Sequence, residues 1–174
     1  MKHPIVLANA DQTRSAGASL GIALLNTKIN QSLIIHLNGE LGAGKTTFVG
    51  GMLNAMGYTG VVRSPTYTLI EPYEFSRGDT MPTLQVMHLD LYRLTDAAQL
   101  EELGVRDMLI PGSVLLIEWP ERAGNRLPLP DIVINLAYLS DGESGRTLDA
   151  IAQSDPAKLL LRQAYSHTLA AHER

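Results

Sequence analysis

The chain has 174 residues, the length of one domain, with 45% hydrophobic and 18% charged residues, an ordinary globular balance. It has no cysteine, which excludes disulfides, thiolate catalysis and cysteine-bound zinc, and no apolar run approaches the ~20 residues of a membrane span. Its 14 basic residues against 18 acidic leave a net charge of −4, which argues against a chain that grips nucleic acid by itself but not against action on nucleic acid within a complex. A cytoplasmic protein is expected, because the apolar region of residues 1–8 is too short for a signal peptide.

In chain order, residues 4–8 read as a short strand, and Asn9 with Gln12 resembles a capping box. Ala16, Leu20, Ala23 and Leu24 recur at helical spacing and predict a helix to about Leu25. Residues 33–37 form an apolar strand. Directly after it, Gly39-Glu40-Leu41-Gly42-Ala43-Gly44-Lys45-Thr46 is a complete P-loop, followed by a helix over residues 45–56 with Gly57 as its C-terminal cap. Strand before and helix after are the context in which this pattern cradles phosphate. The glycines let successive N–H groups point inward, and the helix N-terminus adds its own donors and dipole. Lys45 is expected to reach the β- and γ-phosphates, and the Thr46 hydroxyl to sit on Mg²⁺. Gly50 and Gly51 fall inside that helix at a cost of about 1 kcal/mol each relative to alanine, which close approach of another backbone, or simple tolerance, would explain.

Residues 67–73 and 84–91 read as strands around a polar loop at 75–82. Asp96 and Gln99 open a further helix that stops at Gly104. Residues 114–117, Val-Leu-Leu-Ile, have the length and branching of a central strand buried on both faces. Residues 132–138 and 146–151 form two more strands, with turn chemistry at Asp141-Gly142 and Ser144-Gly145, and residues 156–172 a last helix. Strands interleaved with helices, in one domain over residues 1–174, imply an α/β fold: a P-loop NTPase-like sheet, mixed with antiparallel strands and flanked by helices, with its ligand at the carboxyl ends of the strands.

Two acidic residues fall at such ends. Glu118 closes the strand of residues 114–117, the usual place for a carboxylate that organises Mg²⁺ or an attacking water, although a solvated strand end has the same pattern. Asp90 shares a strand face with His88, so it can stand near a metal, or the two can form a structural hydrogen-bonded pair. Trp119, the sole tryptophan, can wall the site, dock a partner or fill the core. Ser64-Pro65-Thr66 makes a rigid turn and can also offer a hydroxyl to the γ-phosphate, as switch segments do. Arg93 can cap, pair with a carboxylate or reach phosphate, and Glu101 and Glu102 belong on a solvated helix face.

The P-loop through Thr47, then Ser64-Pro65-Thr66-Tyr67, then His88-Leu89-Asp90-Leu91-Tyr92-Arg93, then Glu118-Trp119, occur in the order seen in the TsaE family, which this sequence resembles from about the first helix to Pro130. The resemblance implies an Mg²⁺-dependent ATPase of bacterial tRNA threonylcarbamoyladenosine synthesis that acts with TsaB and TsaD; the acidic balance adds the expectation that it touches tRNA only indirectly. It implies Lys45, Asp90 and Glu118 as catalytic residues. It implies Thr46, Asp90 and Glu118 around the metal. Glu40, Leu41, Gly42, Ala43, Gly44, Lys45, Thr46, Thr47, Ser64, Thr66 and Trp119 would be the nucleotide-binding set. Gly50 departs from the larger, often basic residue expected there. The alternative is a stand-alone P-loop small-molecule kinase, whose closing lid has only residues 75–82, with Arg77, to draw on. A GTPase is disfavoured because no Asn-Lys-x-Asp motif occurs, and a pure binding module leaves Glu118 without a role.

Overall fold

The computed structural model describes residues 4–79, 81–96, 99–139 and 145–171. Among them, strands β1 (Ile5–Leu7), β2 (Leu33–Asn38), β3 (Ile70–Phe75), β4 (Leu84–Asp90), β5 (Ser113–Glu118), β6 (Ile132–Tyr138) and β7 (Arg146–Ala152) form one seven-stranded sheet in the order β1-β7-β6-β2-β5-β4-β3. The central strands β6, β2, β5 and β4 run parallel; β3 pairs antiparallel with β4 on one side, and on the other β7 pairs antiparallel with β6 and β1 antiparallel with β7, so that β1 points the same way as the central strands. The mixed α/β sheet expected from the sequence is therefore present.

Its centre is the apolar run of β5, buried at every position because both faces are covered. Leu33, Ile35 and Leu37 of β2 and Leu116 of β5 face helices α1 (Ala10–Asn26), α2 (Lys45–Ala55) and α4 (Asp155–Ala171). Ile34, Leu115 and Ile117 face a second cluster built by the short helix α3 (Gln99–Glu102) and the 3₁₀ turn Val105–Met108. Each fully buried leucine side chain contributes about 2 kcal/mol, so the two clusters hold the sheet between them.

Helix α1 starts where the sequence places it. The Gln12 N–H donates to Asn9 Oδ1 at 3.0 Å, and Gln12 Oε1 accepts the Ala8 N–H at 2.7 Å, one residue earlier than in a strict capping box. Helices α1 and α2 pack backbone against backbone. A Cβ on Gly51 would lie 2.0 Å from the Arg14 carbonyl oxygen, and one on Gly17 2.0 Å from that of Phe48. That contact is the reason for a glycine inside α2, but only for Gly51: a Cβ on Gly50 would meet nothing nearer than Val62 Cβ at 3.8 Å.

One strand differs from expectation. Residues 67–69 are not extended; Leu69 sits at φ 64° with its N–H donating to the Pro65 carbonyl, and β3 begins only at Ile70 and runs on to Phe75. The hydroxyl-proline turn at 64–66 extends its influence over residues that β-propensity alone assigns to the strand. The helix expected from Asp96 to Gly104 is a single turn, Gln99–Glu102. The turn at Asp141-Gly142 and Ser144 lies outside the described residues.

Candidate functional site

The loop between β2 and α2 takes a shape that depends on glycine. Gly42 and Gly44 have φ of 79° and 103°, in the left-handed region that costs other residues about 1–2 kcal/mol. Gly44 is the N-cap of α2 and supplies no side-chain cap, so the first N–H groups of an 11-residue helix remain directed at the loop. Such a concave array, at the positive end of the helix dipole, suits an anion.

Parallel pairing brings two carboxylates to the same end of the sheet. Leu37, the penultimate residue of β2, lies opposite Glu118, and Glu118 lies opposite Asp90. A cleft of about 260 Å³ results, lined by Leu41, Gly42, Gly44, Lys45, Thr46, Thr47, Ser64, Thr66, Asp90, Tyr92, Glu118 and Trp119. All but one of these, Tyr92, are residues singled out from the sequence as site candidates. Glu40 and Ala43 belong to the loop but not to the cleft wall: the Ala43 N–H donates to the Glu40 carbonyl, and Ala43 is buried.

Asp90 is 2% exposed and held by several donors. The hydroxyls of Ser64 and Thr66 both donate to Oδ2, and the Tyr92 N–H donates to Oδ1 at 2.9 Å. The 64–66 turn is thus more than a turn: it is bonded to the carboxylate at the tip of β4. Glu118 is equally buried, not a solvated strand end, and its Oε1 lies 2.8 Å from His88 Nε2. His88 and Asp90 do share a face, but His88 pairs with Glu118 across the strands and not with Asp90.

The Lys45 ammonium donates to the carbonyls of Gly39 at 2.6 Å and Glu40 at 3.0 Å and stands 3.9 Å from the centroid of the Trp119 ring. Burial pushes its pKa below the usual lysine value, opposed by the negative charges of Glu118, Asp90 and Glu121. Trp119 walls the site. It follows β5 at φ 57°, a left-handed conformation unusual for a bulky residue, which turns the chain so that its ring lies 5.0 Å from that of Tyr92. Arg93 points elsewhere, over the ring of Tyr67 at 4.2 Å, and Glu101 is a surface residue bonded to Arg126.

Two residues that sequence reading missed brace the loop. The Tyr138 hydroxyl donates to the Leu41 carbonyl at 2.9 Å, and Arg146 donates to that of Gly42 at 3.2 Å while its guanidinium lies 4.0 Å from the Tyr138 ring. They are direct partners across β6 and β7. Only that long-range register brings them to the loop, and no local motif marks either one.

The sheet order, the loop and the helix behind it define an α/β protein with a P-loop NTPase-like fold. The same architecture is found in the crystal structure of YdiB from Bacillus subtilis, with a TM-score of 0.66 and 25% sequence identity over 95% of each chain. The family model for threonylcarbamoyl adenosine biosynthesis protein TsaE matches residues 7–148, and this chain belongs to the TsaE family. It is 39% identical to the tRNA threonylcarbamoyladenosine biosynthesis protein TsaE of Haemophilus influenzae over 145 residues, covering 83% of this chain and 86% of that protein. The protein of the same name from Bacillus subtilis is 35% identical over 118 residues, 68% of this chain and 70% of its own length. Membership places the chain in tRNA threonylcarbamoyladenosine biosynthesis.

Proposed function

We propose that the chain binds and hydrolyses ATP with Mg²⁺ as the ATPase component of the tRNA N6-threonylcarbamoyladenosine assembly, acting with TsaB and TsaD. The observation that carries this reading is the convergence of Lys45, Thr46, Asp90 and Glu118, drawn from three separate elements, on one cleft beside the P-loop. The loop and the start of α2 hold the phosphate chain through N–H groups, and Lys45, released from its own loop carbonyls, adds a positive charge at the β- and γ-phosphates.

The donor chemistry fits Mg²⁺. Among the described residues, no group of three or more His, Asp or Glu side chains encloses a metal by itself. The Thr46 hydroxyl and the carboxylates of Asp90 and Glu118 form an all-oxygen set, suited to an ion that keeps several waters and shares its remaining positions with phosphate. When bound, Mg²⁺ neutralises charge that develops on the phosphate oxygens. Asp90, fixed by Ser64, Thr66 and the Tyr92 N–H, orients the metal side. Glu118 faces the same space and orients the attacking water. Ser64 and Thr66 link this centre to the segment that follows the P-loop helix, as a switch would.

The kinase alternative loses support because the β3–β4 hairpin, which holds the lid-sized segment expected from the sequence, enters β4 at its amino end, away from the cleft. Arg77 in that hairpin is buried and bonded to the carbonyls of Pro82 and Thr27. Among the described residues, no arginine lines the cleft, so low basal turnover that rises when a partner supplies the missing cation is the expected behaviour. A net charge of −4 supports a division of labour in which the partners hold tRNA. Among the described residues, no helix is long and apolar enough to cross a membrane, in keeping with work in the cytoplasm on tRNA.

The deciding experiment is an ATPase and tRNA-modification assay reconstituted with and without this chain. Hydrolysis should rise on addition of TsaB and TsaD, and modification should depend on the chain. Equal hydrolysis rates with and without the partners would point to a stand-alone enzyme.

A further inference from the structure

We infer that His88 is a positioning residue for Glu118: it holds one carboxylate oxygen so that the other is presented to the cleft in a fixed orientation. The inference rests on the ATPase reading of that cleft. The two acidic residues are supported unequally. Asp90 has three donors on its two oxygens. Among the described residues, the Glu118 carboxylate has one hydrogen-bond partner, His88, on Oε1. A glutamate has three rotatable side-chain bonds, and among the described residues no other hydrogen bond selects the rotamer in which its carboxylate borders the cleft.

His88 does not act on a ligand directly. It is 0% exposed and absent from the cleft wall, lying on the same sheet face as Val86 and Leu116. Register places it opposite Leu116, two residues before Glu118, so the contact is a diagonal one across β4 and β5. An ionised carboxylate only accepts, so Nε2 carries the proton of this bond. The other nitrogen, Nδ1, is buried with no hydrogen-bond partner among the described residues. A histidine kept for packing or stability would be poorly chosen here, because it leaves a polar atom unsatisfied where an apolar side chain would leave none. What the imidazole supplies at this position is the Nε2 bond to Glu118.

The test compares His88→Phe, His88→Gln, Glu118→Gln and the His88→Phe/Glu118→Gln double variant in single-turnover ATP hydrolysis and in calorimetric Mg-ATP binding. His88→Phe should slow hydrolysis about 10- to 100-fold, the usual effect of removing such an outer partner, with Mg-ATP affinity changed less than about threefold. His88→Gln, which restores an N–H donor of similar reach, should recover most of the rate. In the Glu118→Gln background, His88→Phe should cost nothing further, since a residue acting only through Glu118 has nothing left to act on. An equal loss in both backgrounds, loss of ATP binding along with rate, or no recovery in a His88→Gln protein with an unchanged melting temperature would each overturn the assignment. Crystal structures of the nucleotide-free His88→Phe and wild-type proteins supply a readout independent of turnover. Glu118 should leave its wild-type rotamer, and an unmoved carboxylate would overturn the proposal. If the carboxylate moves but wild-type protein does not hydrolyse ATP, the ATPase reading fails and the positioning role stands.

Discussion

The two ends of the parallel strands bury charge in different ways. At the amino end, Arg77 is held by backbone: its Nε donates to the Pro82 carbonyl and Nη1 to that of Thr27, both at 2.8 Å, tying the β3–β4 hairpin to the end of α1, while Nη2 has no hydrogen-bond partner among the described residues. At the carboxyl end, Lys45, Asp90 and Glu118 are as deeply buried, but all three border an open cleft, and Asp90 and Glu118 are held by other side chains. Arg77 and Lys45 are both bonded to backbone carbonyls, so partner type alone does not separate the two ends. What separates them is the cleft that Lys45, Asp90 and Glu118 border and Arg77 does not, which makes the first arrangement a fastening and the second a candidate site.

The contrast can be broken by substitution. Glu118→Gln should have the largest effect, reducing ATP hydrolysis about 100- to 1000-fold while Mg-ATP still binds, because water or metal positioning is lost and the phosphate cradle is not. Normal turnover would remove Glu118 from the mechanism. Lys45→Ala should weaken Mg-ATP binding about 100-fold by calorimetry, through loss of a charged contact worth about 2–3 kcal/mol. Unchanged affinity would count against the P-loop assignment. At the other end, Arg77→Met should lower thermal stability by about 1–3 kcal/mol through its lost carbonyl bonds, with Mg-ATP affinity unaltered. A loss of affinity there would show that the two ends are coupled.

The smallest effects come from neighbouring glycines in the helix that carries Lys45. Gly51→Ala forces a Cβ against the Arg14 carbonyl and should destabilise the chain by about 1–3 kcal/mol in denaturant unfolding. Gly50→Ala, with 3.8 Å of room, should stabilise it by about 0.5–1 kcal/mol. Equal effects would deny that close helix packing, and not the helix itself, requires glycine at this point.

Much of the candidate site, as a set of residues gathered on one cleft, was legible because its pieces are local. Gly39-x-x-Gly42-x-Gly44-Lys45-Thr46 carries its own backbone geometry, and an apolar run ending in an acid, as at Glu118, marks a buried strand with its tip in a cleft. What local pattern misjudged were interactions decided at a distance. Residues 67–69 have strand composition but are drawn into the turn whose Ser64 and Thr66 bond Asp90, on another strand. The His88-x-Asp90 spacing invited a pair between neighbours on one strand, whereas β4–β5 register delivers His88 to Glu118.

By itself, then, the sequence determined the α/β class, the P-loop and the family, since each depends on short-range periodicity, glycine placement or ordered motifs. Only the tertiary structure decided which carboxylate has which partner, that Tyr138 and Arg146 brace the loop, and that Arg77 faces away from it. Those facts depend on sheet order and register, and these are set by how seven strands bury their side chains together and not by any one segment.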